Sequence, residues 1–451
     1  MAIKIGNVSV NSVAIGSVLV DSVTIGSDVV WEKTTPVAGP WLCFTANTAN
    51  STIRLDKNGS SDAISLETST DGTTWTDYGW TSNTGDTLTL TNIGDKVYMR
   101  AKNENTTIGS SWGNYYHFIG TGSFAASGNI QSLLKADCSR TDAPSHCYDR
   151  MFLNCSSLTT APALPATTLA DYCYSYMFNG CSSLTSAPSL PATTLAEYCY
   201  SQMFTRCTSL TQAPTLSATT LAECCCYGMF SDCTSLTQAP SLPATTLAEN
   251  CYSHMFMNCS SLTTAPSLPA TTLADYCYSY MFDRCTSLTS APSLPATTLA
   301  DYCYESMFQN CTSLTQAPTL SATTLAECCC YGMFSDCTSL TQAPALPATT
   351  LAYNCYDSMF LNCSSLTTAP ALPATTLADY CYAQMFYDCV QLSYIEVSFS
   401  SWGEFTPPTT DWVANAGSQA SGTKIFKCPS SLYQEFDDSH IPTGWTVVTT
   451  N

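Results

Sequence analysis

Apolar and polar positions follow a pattern that repeats every 26 residues between residues 147 and 389. A Met-Phe pair marks each period. The methionines of these pairs are Met151, Met177, Met203, Met229, Met255, Met281, Met307, Met333, Met359 and Met385. Self-similarity at this spacing is typical of a solenoid, in which each unit is too small to bury its own apolar side and stacks on its neighbours. The pattern therefore predicts one long stack of repeated units.

The first half of each unit is predicted to be extended. In one unit Leu158, Ala161 and Leu164 are the apolar residues that recur in every copy, and they are expected to point inward. Pro162 and Pro165 disfavour a helix and remove hydrogen-bond donors. We therefore expect a short or bulged strand that lies parallel to the strands of neighbouring units, about 4.8 Å apart.

The second half of each unit is predicted to be a short helix. Residues 168–171, with the sequence Thr-Leu-Ala-Asp, form a capping box, in which a hydroxyl and a carboxylate satisfy free amides at a helix start. Leu169, Cys173 and Met177 then follow at i, i+4 and i+8, the spacing of one buried helix face. The predicted fold class is a repeat solenoid with short parallel strands and short helices.

A second period of 104 residues lies over the first, so that a block of four units is copied once. One surface position is occupied in turn by Tyr, Tyr, Cys and Asn at residues 172, 198, 224 and 250, and by the same four residue types 104 positions later. The uncommon segment Glu-Cys-Cys-Cys-Tyr-Gly occurs at residues 223–228 and again at 327–332. This indicates that the length of the stack was set by duplicating blocks.

Residues 1–32 have a period of ten, with Ile-Gly pairs at Ile5, Ile15 and Ile25 and alternating valines between them. Alternation of this kind predicts strands separated by tight turns. A segment of this length buries too little surface to fold alone. We expect an all-β attachment segment that pairs through exposed strand edges with other copies or with a larger assembly. The alternative is an extra sheet on the next domain.

Residues 33–122 are predicted to form an independent β domain. Clusters of turn residues, such as those at 56–59 and 83–85, separate short apolar stretches. About seven short strands in about ninety residues predict a β-sandwich of the immunoglobulin-like kind. The strand candidates are residues 41–44, 52–55, 64–67, 74–78, 87–91, 97–101 and 115–118.

Residues 123–392 are assigned to the solenoid and its N-terminal cap, for which Phe124, Ile130, Leu133 and Leu134 are the candidates. Residues 393–451 break the pattern and bring large aromatic residues. A terminal unit needs such a change because it must close the core with a different outer face. The aromatic residues of this C-terminal cap are Trp402, Phe405, Trp412, Phe426, Phe436 and Trp445.

Composition limits the partners. Charged residues make up 11% of the chain and the formal net charge is −20 at pH 7, so we expect neither nucleic acid nor anionic lipid as a partner. No apolar run approaches the ~20 residues of a membrane-spanning helix, and the first ten residues do not resemble a secretory signal. Residues 139–390 hold sixteen acidic and four basic residues, which favours a basic or neutral partner.

Cysteine spacing predicts columns in the core. Twenty of the 27 cysteines fall in two rows that step by 26, from Cys147 to Cys381 and from Cys155 to Cys389. Free cysteine packs as a small hydrophobe, so we expect reduced core columns, with stacked disulfides as the alternative. Four scattered histidines and the absence of Cys-x-x-Cys pairs at zinc-finger spacing argue against a zinc site.

Two rows of side chains are the candidate ligand-contact residues. The tyrosines, with hydroxyls and amides near them, suit contact with a sugar; the alternative is a half-buried stacking ladder. The carboxylates could bind cations or basic partners, and the capping role is the alternative. The rows are Tyr172, Tyr198, Tyr276, Tyr302 and Tyr380, and Asp171, Glu197, Asp275, Asp301 and Asp379. We predict no catalytic residue, no cofactor and no metal.

The repeated Met-Phe-x-x-Cys-x-x-Leu step, with Leu-Pro-x-x-x-Leu before it, resembles the BspA-like leucine-rich repeats. The resemblance covers about residues 150–392 and recurs ten times. The segment Ile441-Pro-Thr-Gly-Trp445 resembles the ends of such proteins from gut Bacteroidales bacteria and their phages. The family implies surface display and adhesion, and it has no catalytic residues to carry over. The valine-rich start is similar to attachment segments of virion fibre proteins.

These features together predict a non-enzymatic virion structural protein, a fibre or a head or tail decoration, on the surface of an extracellular particle that is assembled in the host cytoplasm. Its solenoid is expected to adhere to a host-cell surface or to mucosal glycans or proteins. Residues 1–32 are expected to contact a virion protein or other copies of the chain, with a trimer as the first-choice oligomer. The alternatives are a bacterial surface adhesin, an enzyme with a solenoid domain, and a purely structural capsid cement.

Overall fold

The computed structural model describes residues 40–59, 64–111, 113–403 and 408–450, together with six short strands between residues 4 and 32. The regular structure of these residues is β-strand and tight turn, with one 3-10 turn at Ile130–Leu133 and no α-helix among them. None of the helical structure in this part of the chain is long and apolar enough to span a membrane.

The six N-terminal strands form three separate antiparallel pairs, which agrees with the alternation of valines. The strands are β1 Lys4–Ile5, β2 Val8–Ser9, β3 Val13–Ile15, β4 Val18–Val20, β5 Ser22–Ile25 and β6 Asp28–Glu32. The rest of the predicted attachment segment lies outside the described residues, so its role as a docking element stays a prediction.

Two antiparallel five-stranded sheets follow, and each of the seven strand candidates overlaps an observed strand. The first sheet has the order β10-β9-β14-β7-β16; in the second, β8 pairs with β15 on one side and with β12 and β13 on the other. Phe44 and Phe118 join the sheets, with ring centroids 4.9 Å apart. The strands are β7 Leu42–Ala46, β8 Ser51–Lys57, β9 Leu66–Ser69, β10 Thr76–Asp77, β11 Trp80–Thr81, β12 Thr84–Gly85, β13 Leu88–Leu90, β14 Lys96–Ala101, β15 Tyr116–Thr121 and β16 Phe124–Ser127.

The sheets continue directly into the repeats. The N–H groups of Phe118 and Phe124 donate to carbonyls of the first unit at 2.7 and 3.1 Å, and the ring of Phe152 stacks on that of Phe118 at 5.0 Å. The predicted cap residues Phe124, Ile130, Leu133 and Leu134 are all fully buried. One hydrophobic cluster therefore runs from the sheets through the repeats to the C-terminal region.

Each 26-residue unit lies on the next one. The N–H of Phe178 donates to the carbonyl of Met203, and that of Phe204 to the carbonyl of Met229, both at 2.9 Å. The phenylalanines of the Met-Phe pairs form an unbroken row from Phe152 to Phe386, with neighbouring rings 5.3–5.8 Å apart. The stacking of like residues on like residues is confirmed.

The helix in the second half of each unit was a wrong prediction. Residues 170–181 form a run of tight turns, which we call the turn ribbon, in which every second N–H bonds three residues back at 3.0–3.3 Å. Tyr172, Tyr176 and Gly180 have positive φ angles of 59°, 54° and 77°, which suits the third position of such turns and excludes an α-helix. The remaining N–H groups donate to the next unit at 2.8–3.1 Å. These bonds offset the roughly 1–2 kcal/mol that each left-handed side-chain residue costs.

The predicted capping box at residues 168–171 was also wrong, because no helix begins there. The carboxylate of Asp171 accepts the N–H of Glu197, one unit further on, at 3.2 Å. Of the residues predicted to share an inner helix face, Cys173 and Met177 are fully buried while Leu169 is half-buried.

The strands of the repeats are very short, as the prolines predicted. Most contacts between units in this half are single parallel bridges, such as the one between Thr194 and Thr220. Only the first pair reaches two residues, where β17 Asp142–Ala143 lies parallel to β18 Thr168–Leu169. The stack is therefore joined mainly by the turn ribbon and by side-chain rows.

The cysteine columns are part of the core. All 27 cysteines have free thiols in the structure, and 26 of them are buried. In the second column each thiol from Cys181 to Cys389 donates to the carbonyl of a phenylalanine 29 residues earlier at 3.1–3.2 Å. A small apolar residue with one weak donor thus adds a second hydrogen bond to a buried carbonyl in each of these nine units.

The C-terminal region closes the stack with aromatic side chains and a parallel sheet. Its strands are β19 Tyr394–Glu396, β20 Ile425–Pro429 and β21 Thr446–Thr450. Trp412 is fully buried against the last core rings, and carbonyls of residues 408–414 accept the N–H groups of the last turn ribbon. Of the predicted cap aromatics, Phe436 is exposed because it lies outside this cluster, and Phe405 lies outside the described residues.

Candidate functional site

The predicted tyrosines lie in a row on the outside of the turn ribbon, and the structure stacks them in pairs. The rings of Tyr172 and Tyr198 are 4.7 Å apart, as are those of Tyr276 and Tyr302. Tyr380 makes an edge contact instead. All five are half-buried, and the stacked faces cover each other, so that edges and hydroxyls face outward. The proposed sugar contact by this row stays a prediction.

The predicted carboxylates form a parallel row of exposed side chains. The carboxylates of Asp171, Asp275 and Asp301 each accept the N–H of the acidic residue one unit further on, at 3.0–3.2 Å. Glu197 and Asp379 are exposed in the same row. The row therefore has a structural role as a ladder of side-chain-to-backbone bonds along the stack.

The segment at residues 223–228 interrupts the tyrosine row, while Glu223 keeps an acidic residue in the carboxylate row. Cys224 stands where the two preceding units carry Tyr172 and Tyr198, and Tyr227 stands where both neighbouring units carry a buried serine. Gly228, with φ 56°, occupies the left-handed position at which the other units of this block have Tyr176, Gln202 and His254. The missing side chain leaves a notch in the surface at this position.

A groove of about 450 Å³ opens at this notch and crosses five successive units. This volume falls within the ~300–1,000 Å³ of small-molecule sites. We call it the Gly228 groove. Its principal lining residues are Arg150, Tyr176, Gln202, Arg206, Tyr227 and Gly228, with Asp232 and His254 at one end.

Contacts between neighbouring units hold the groove walls in place. The side-chain amide of Gln202 donates to the hydroxyl of Tyr176 at 2.9 Å, and the guanidinium of Arg150 lies 4.9 Å over the same ring. Across the notch Tyr227 packs against His254, with ring centroids 5.2 Å apart. The two tyrosines thus have fixed positions on either side of the missing side chain.

A second cavity, of about 280 Å³, lies beside the Gly228 groove and shares Tyr176, Gln202 and Tyr227 with it. It forms where Cys224 and Asn250 break the tyrosine row, and Tyr198 lines its rim. The structure therefore places one predicted site residue, Tyr198, at the edge of this site. Its hydroxyl donates to Glu223 at 3.2 Å, and contact with Cys224 and burial raise its pKa.

The groove has an unusual charge for this protein. Residues 139–390 have only four basic residues, all arginines, and two of them, Arg150 and Arg206, line the groove. Arg206 is 71% exposed and its closest carboxylate, Asp232, is 4.0 Å away. Arg150 is 11% exposed and pairs with the buried Asp149. Burial raises the pKa of Asp149 to about 7, against the opposing effect of Arg150.

The copied segment at residues 327–332 places Gly332 at the equivalent position, but its neighbours differ. Asn310 and Ser306 replace Arg206 and Gln202. Tyr331, the counterpart of Tyr227, has Glu305 and Asp357 near it instead of serines. Burial raises the pKa of Glu305 and raises that of Asp357 to about 6. This second notch is therefore acidic and lacks the arginine.

One group of metal-capable side chains occurs among the described residues, at Glu435, Asp437 and His440 in the C-terminal region. The Nδ1 of His440 is 2.8 Å from Asp437 and its Nε2 is 3.7 Å from Glu435. The three lie at the surface, and their contacts with one another account for the arrangement.

Reasoning from the sequence singled out the Glu-Cys-Cys-Cys-Tyr-Gly segments but did not place a site there. The residues that it missed are Arg150, Tyr176, Gln202, Arg206, Tyr227 and Gly228. A usable signal was present, since a glycine stands at a position where most other units have long side chains. The sequence predicted a helix at this place instead of the turn ribbon, however, so it did not show that this position points outward.

A family model described as the BspA type leucine-rich repeat region matches the chain in six copies, over residues 91–237, 200–341 and 278–404. These matches together cover more than half of the chain. No curated protein and no solved structure matches it significantly. The match extends over every residue of the Gly228 groove.

Proposed function

The chain belongs to the BspA-type leucine-rich repeat family, and from this membership we propose that it is a non-enzymatic adhesion protein displayed on a surface. In this proposal a repeat solenoid presents its side to a host-cell surface or to mucosal glycans or proteins. Extended repeat surfaces commonly serve as binding surfaces.

The observation that carries the proposal is the Gly228 groove. The core residues repeat in every unit, and the groove is a local departure at the surface, formed where Gly228 lacks a side chain, with aromatic walls and an exposed cation. A structural cement has no need of such a departure, whereas a binding surface does.

The absence of enzymatic activity is proposed because the reactive groups near the groove are inaccessible. The hydroxyl of Ser253 lies 2.8 Å from Nδ1 of His254, but Ser253 is 1% exposed. Cys147 follows His146 in the sequence, yet burial raises its pKa to about 12, which keeps it a thiol at neutral pH.

We further propose that the surface is that of a phage particle. The acidic solenoid would be the outer part of a virion fibre or decoration protein, and residues 1–32 would join it to a virion protein or to other copies in a homo-oligomer, with a trimer as the first choice. The alternative is a bacterial surface adhesin.

Binding of the labelled full chain to gut Bacteroidales cells and to immobilised mucin tests adhesion. Saturable binding that unlabelled protein displaces is the expected result, and no binding to either surface would contradict it. Mass spectrometry of purified phage particles and of host envelope fractions separates the two locations. Recovery only from the envelope would favour the bacterial adhesin.

A further inference from the structure

We propose that the Gly228 groove binds an acidic sugar, one that carries a carboxylate or a sulfate group. The inference deepens the proposed adhesion, on which it rests, by naming the chemical class of the ligand and the residues that recognise it.

The first argument is the shape of the walls. Tyr176 has one face under Arg150 and its hydroxyl held by Gln202, so the ring is fixed before any ligand arrives. Tyr227 is fixed in turn by His254 on the other side of Gly228. Two ordered aromatic side chains about a notch offer apolar surface to the C–H groups of a sugar ring and hydroxyls to its oxygens.

The second argument is the available cation. Arg206 is largely in solvent, and the distance of 4.0 Å to Asp232 is too long for a strong ion pair. The other carboxylate oxygen of Asp232 is already occupied, because Asn258 donates to it at 2.6 Å. The guanidinium of Arg206 therefore retains donors for a carboxylate or sulfate, which it can hold with two parallel hydrogen bonds.

The third argument is a contrast within the molecule. The array repels anions almost everywhere, and the same notch 104 residues later has Asn310 in place of Arg206 and acidic side chains beside Tyr331. A site for neutral sugars would need no such difference. The first notch has Arg206 and the second has the uncharged Asn310. We therefore assign the positive charge of the first notch to ligand binding.

The test uses the full chain and titration calorimetry with three oligosaccharides of equal length. One carries only carboxylates (a hyaluronan fragment), one carries only sulfates (a sulfated galactan fragment) and one is neutral. An acidic peptide of the same net charge is the fourth probe. We expect one or both charged sugars to bind at least tenfold more tightly than the neutral sugar and the peptide, and their affinity to fall with added salt.

The variants are paired with controls in the same chain. Arg206→Asn introduces the residue of the second block, and Gly228→Gln fills the notch with the side chain of the preceding unit at a backbone angle that glutamine already adopts there. Arg284→Asn removes an exposed arginine from the same row elsewhere, and Gly332→Gln fills the copied notch. We expect at least a tenfold loss of affinity for the first two and no change for the controls.

Equal affinity for the neutral sugar, tighter binding of the peptide, no binding of any sugar, or an equal loss in Arg284→Asn would overturn the inference. Failure of the wider proposal has a different signature. If the full chain binds mucin and cells, and Arg206→Asn and Gly228→Gln leave this unchanged, adhesion stands and the groove assignment fails. If it binds a charged oligosaccharide but no cell or mucin surface, the groove assignment stands alone.

Discussion

The two Glu-Cys-Cys-Cys-Tyr-Gly units, at residues 223–228 and 327–332, have identical sequences and different surroundings. In both, glycine takes a left-handed position with φ 56–57° and leaves a notch. The first notch has Arg206 and Gln202 as neighbours; the second has Asn310, Ser306 and two half-buried carboxylates. The same left-handed glycine thus lies in a cationic groove at Gly228 and in an acidic one at Gly332. In a stacked repeat, the character of a site is set by residues one unit away from it.

The largest predicted effect on the free energy of unfolding concerns the core, which should be the same in the two four-unit blocks. Phe204 and Phe308 are fully buried equivalents, each stacked between two rings at 5.5–5.7 Å. Phe204→Ala and Phe308→Ala should each lower the free energy of unfolding by about 3–5 kcal/mol, because both open a cavity in the same row. Denaturant unfolding followed by circular dichroism measures it. A large difference between the two would show that the blocks do not share one scaffold.

The next prediction is that the stability of the second block depends on pH through Asp357, which has no titratable counterpart in the first block. Asp357 is the counterpart of Ser253, and burial raises its pKa from 3.8 to about 6. Between about pH 4 and 6 the folded protein therefore holds a proton that the unfolded chain has lost, so this group makes stability fall as the pH rises through that range. Asp357→Asn should leave stability at pH 4 nearly unchanged and raise it by about 1–3 kcal/mol at pH 8.

Thermal unfolding at pH 4, 6 and 8 measures this, with Glu249→Gln as a control that removes one negative charge from an exposed side chain. An increase of the same size in the control at pH 8 would assign the gain to net charge rather than to burial.

A third prediction converts one region into the other. The double variant Ser306→Gln, Asn310→Arg gives the second notch the two neighbours of the first, and Asp357→Ser with Glu305→Ser removes its acids. We expect the fourfold variant to bind a second equivalent of the charged oligosaccharide within about tenfold of the first, a difference of about 1.4 kcal/mol. Calorimetric stoichiometry measures it, and an unchanged stoichiometry would mean that the notch needs more than these neighbours.

The smallest effect concerns the carboxylate row. Asp301 accepts the N–H of Glu327 at 3.0 Å, whereas the longer Glu197 is its counterpart in the first block. Asp301→Ala should lower the free energy of unfolding by about 0.5–1 kcal/mol through loss of this exposed bond, and Glu197→Ala by less. Chemical denaturation of both variants compares them. Equal losses would indicate that the bond contributes nothing beyond the side chain itself.

The sequence was sufficient for the parts of the fold that depend on periodicity. The 26-residue step predicted that Met203 and Met229 lie in adjacent units, and the clusters of turn residues located seven of the ten strands of the two sheets within a few residues. The helix was wrong because a ribbon of turns with a left-handed residue at every fourth position also places Cys173 and Met177 on one inner side. Those left-handed positions are held by a mixture of residue types. Tyrosine, glutamine and arginine give no local sign of that conformation, and asparagine, aspartate and glycine, which favour it, occur at only some of the positions.

The site was harder to predict for a related reason. The tyrosine and carboxylate rows are conspicuous because they repeat, and the structure accounts for the carboxylates by bonds along the stack. The Gly228 groove is defined by a side chain that is absent and by neighbours that come 26 residues earlier and later. Such a site can be predicted only when the direction of the side chain at each position of the unit is known.

Every second amide group of the turn ribbon donates to the unit on its C-terminal side, and each seam between units pairs equivalent carbonyls with equivalent N–H groups. Loss or gain of a whole coil by slippage of a repetitive coding sequence would therefore leave no dangling amide inside the protein. Only the first and last units, which contact the N-terminal sheets and the C-terminal region, have neighbours of a different kind, and these contacts would not change. Lineages that carry such a chain can change its reach in fixed increments, and can multiply or delete grooves, without having to evolve a new fold each time.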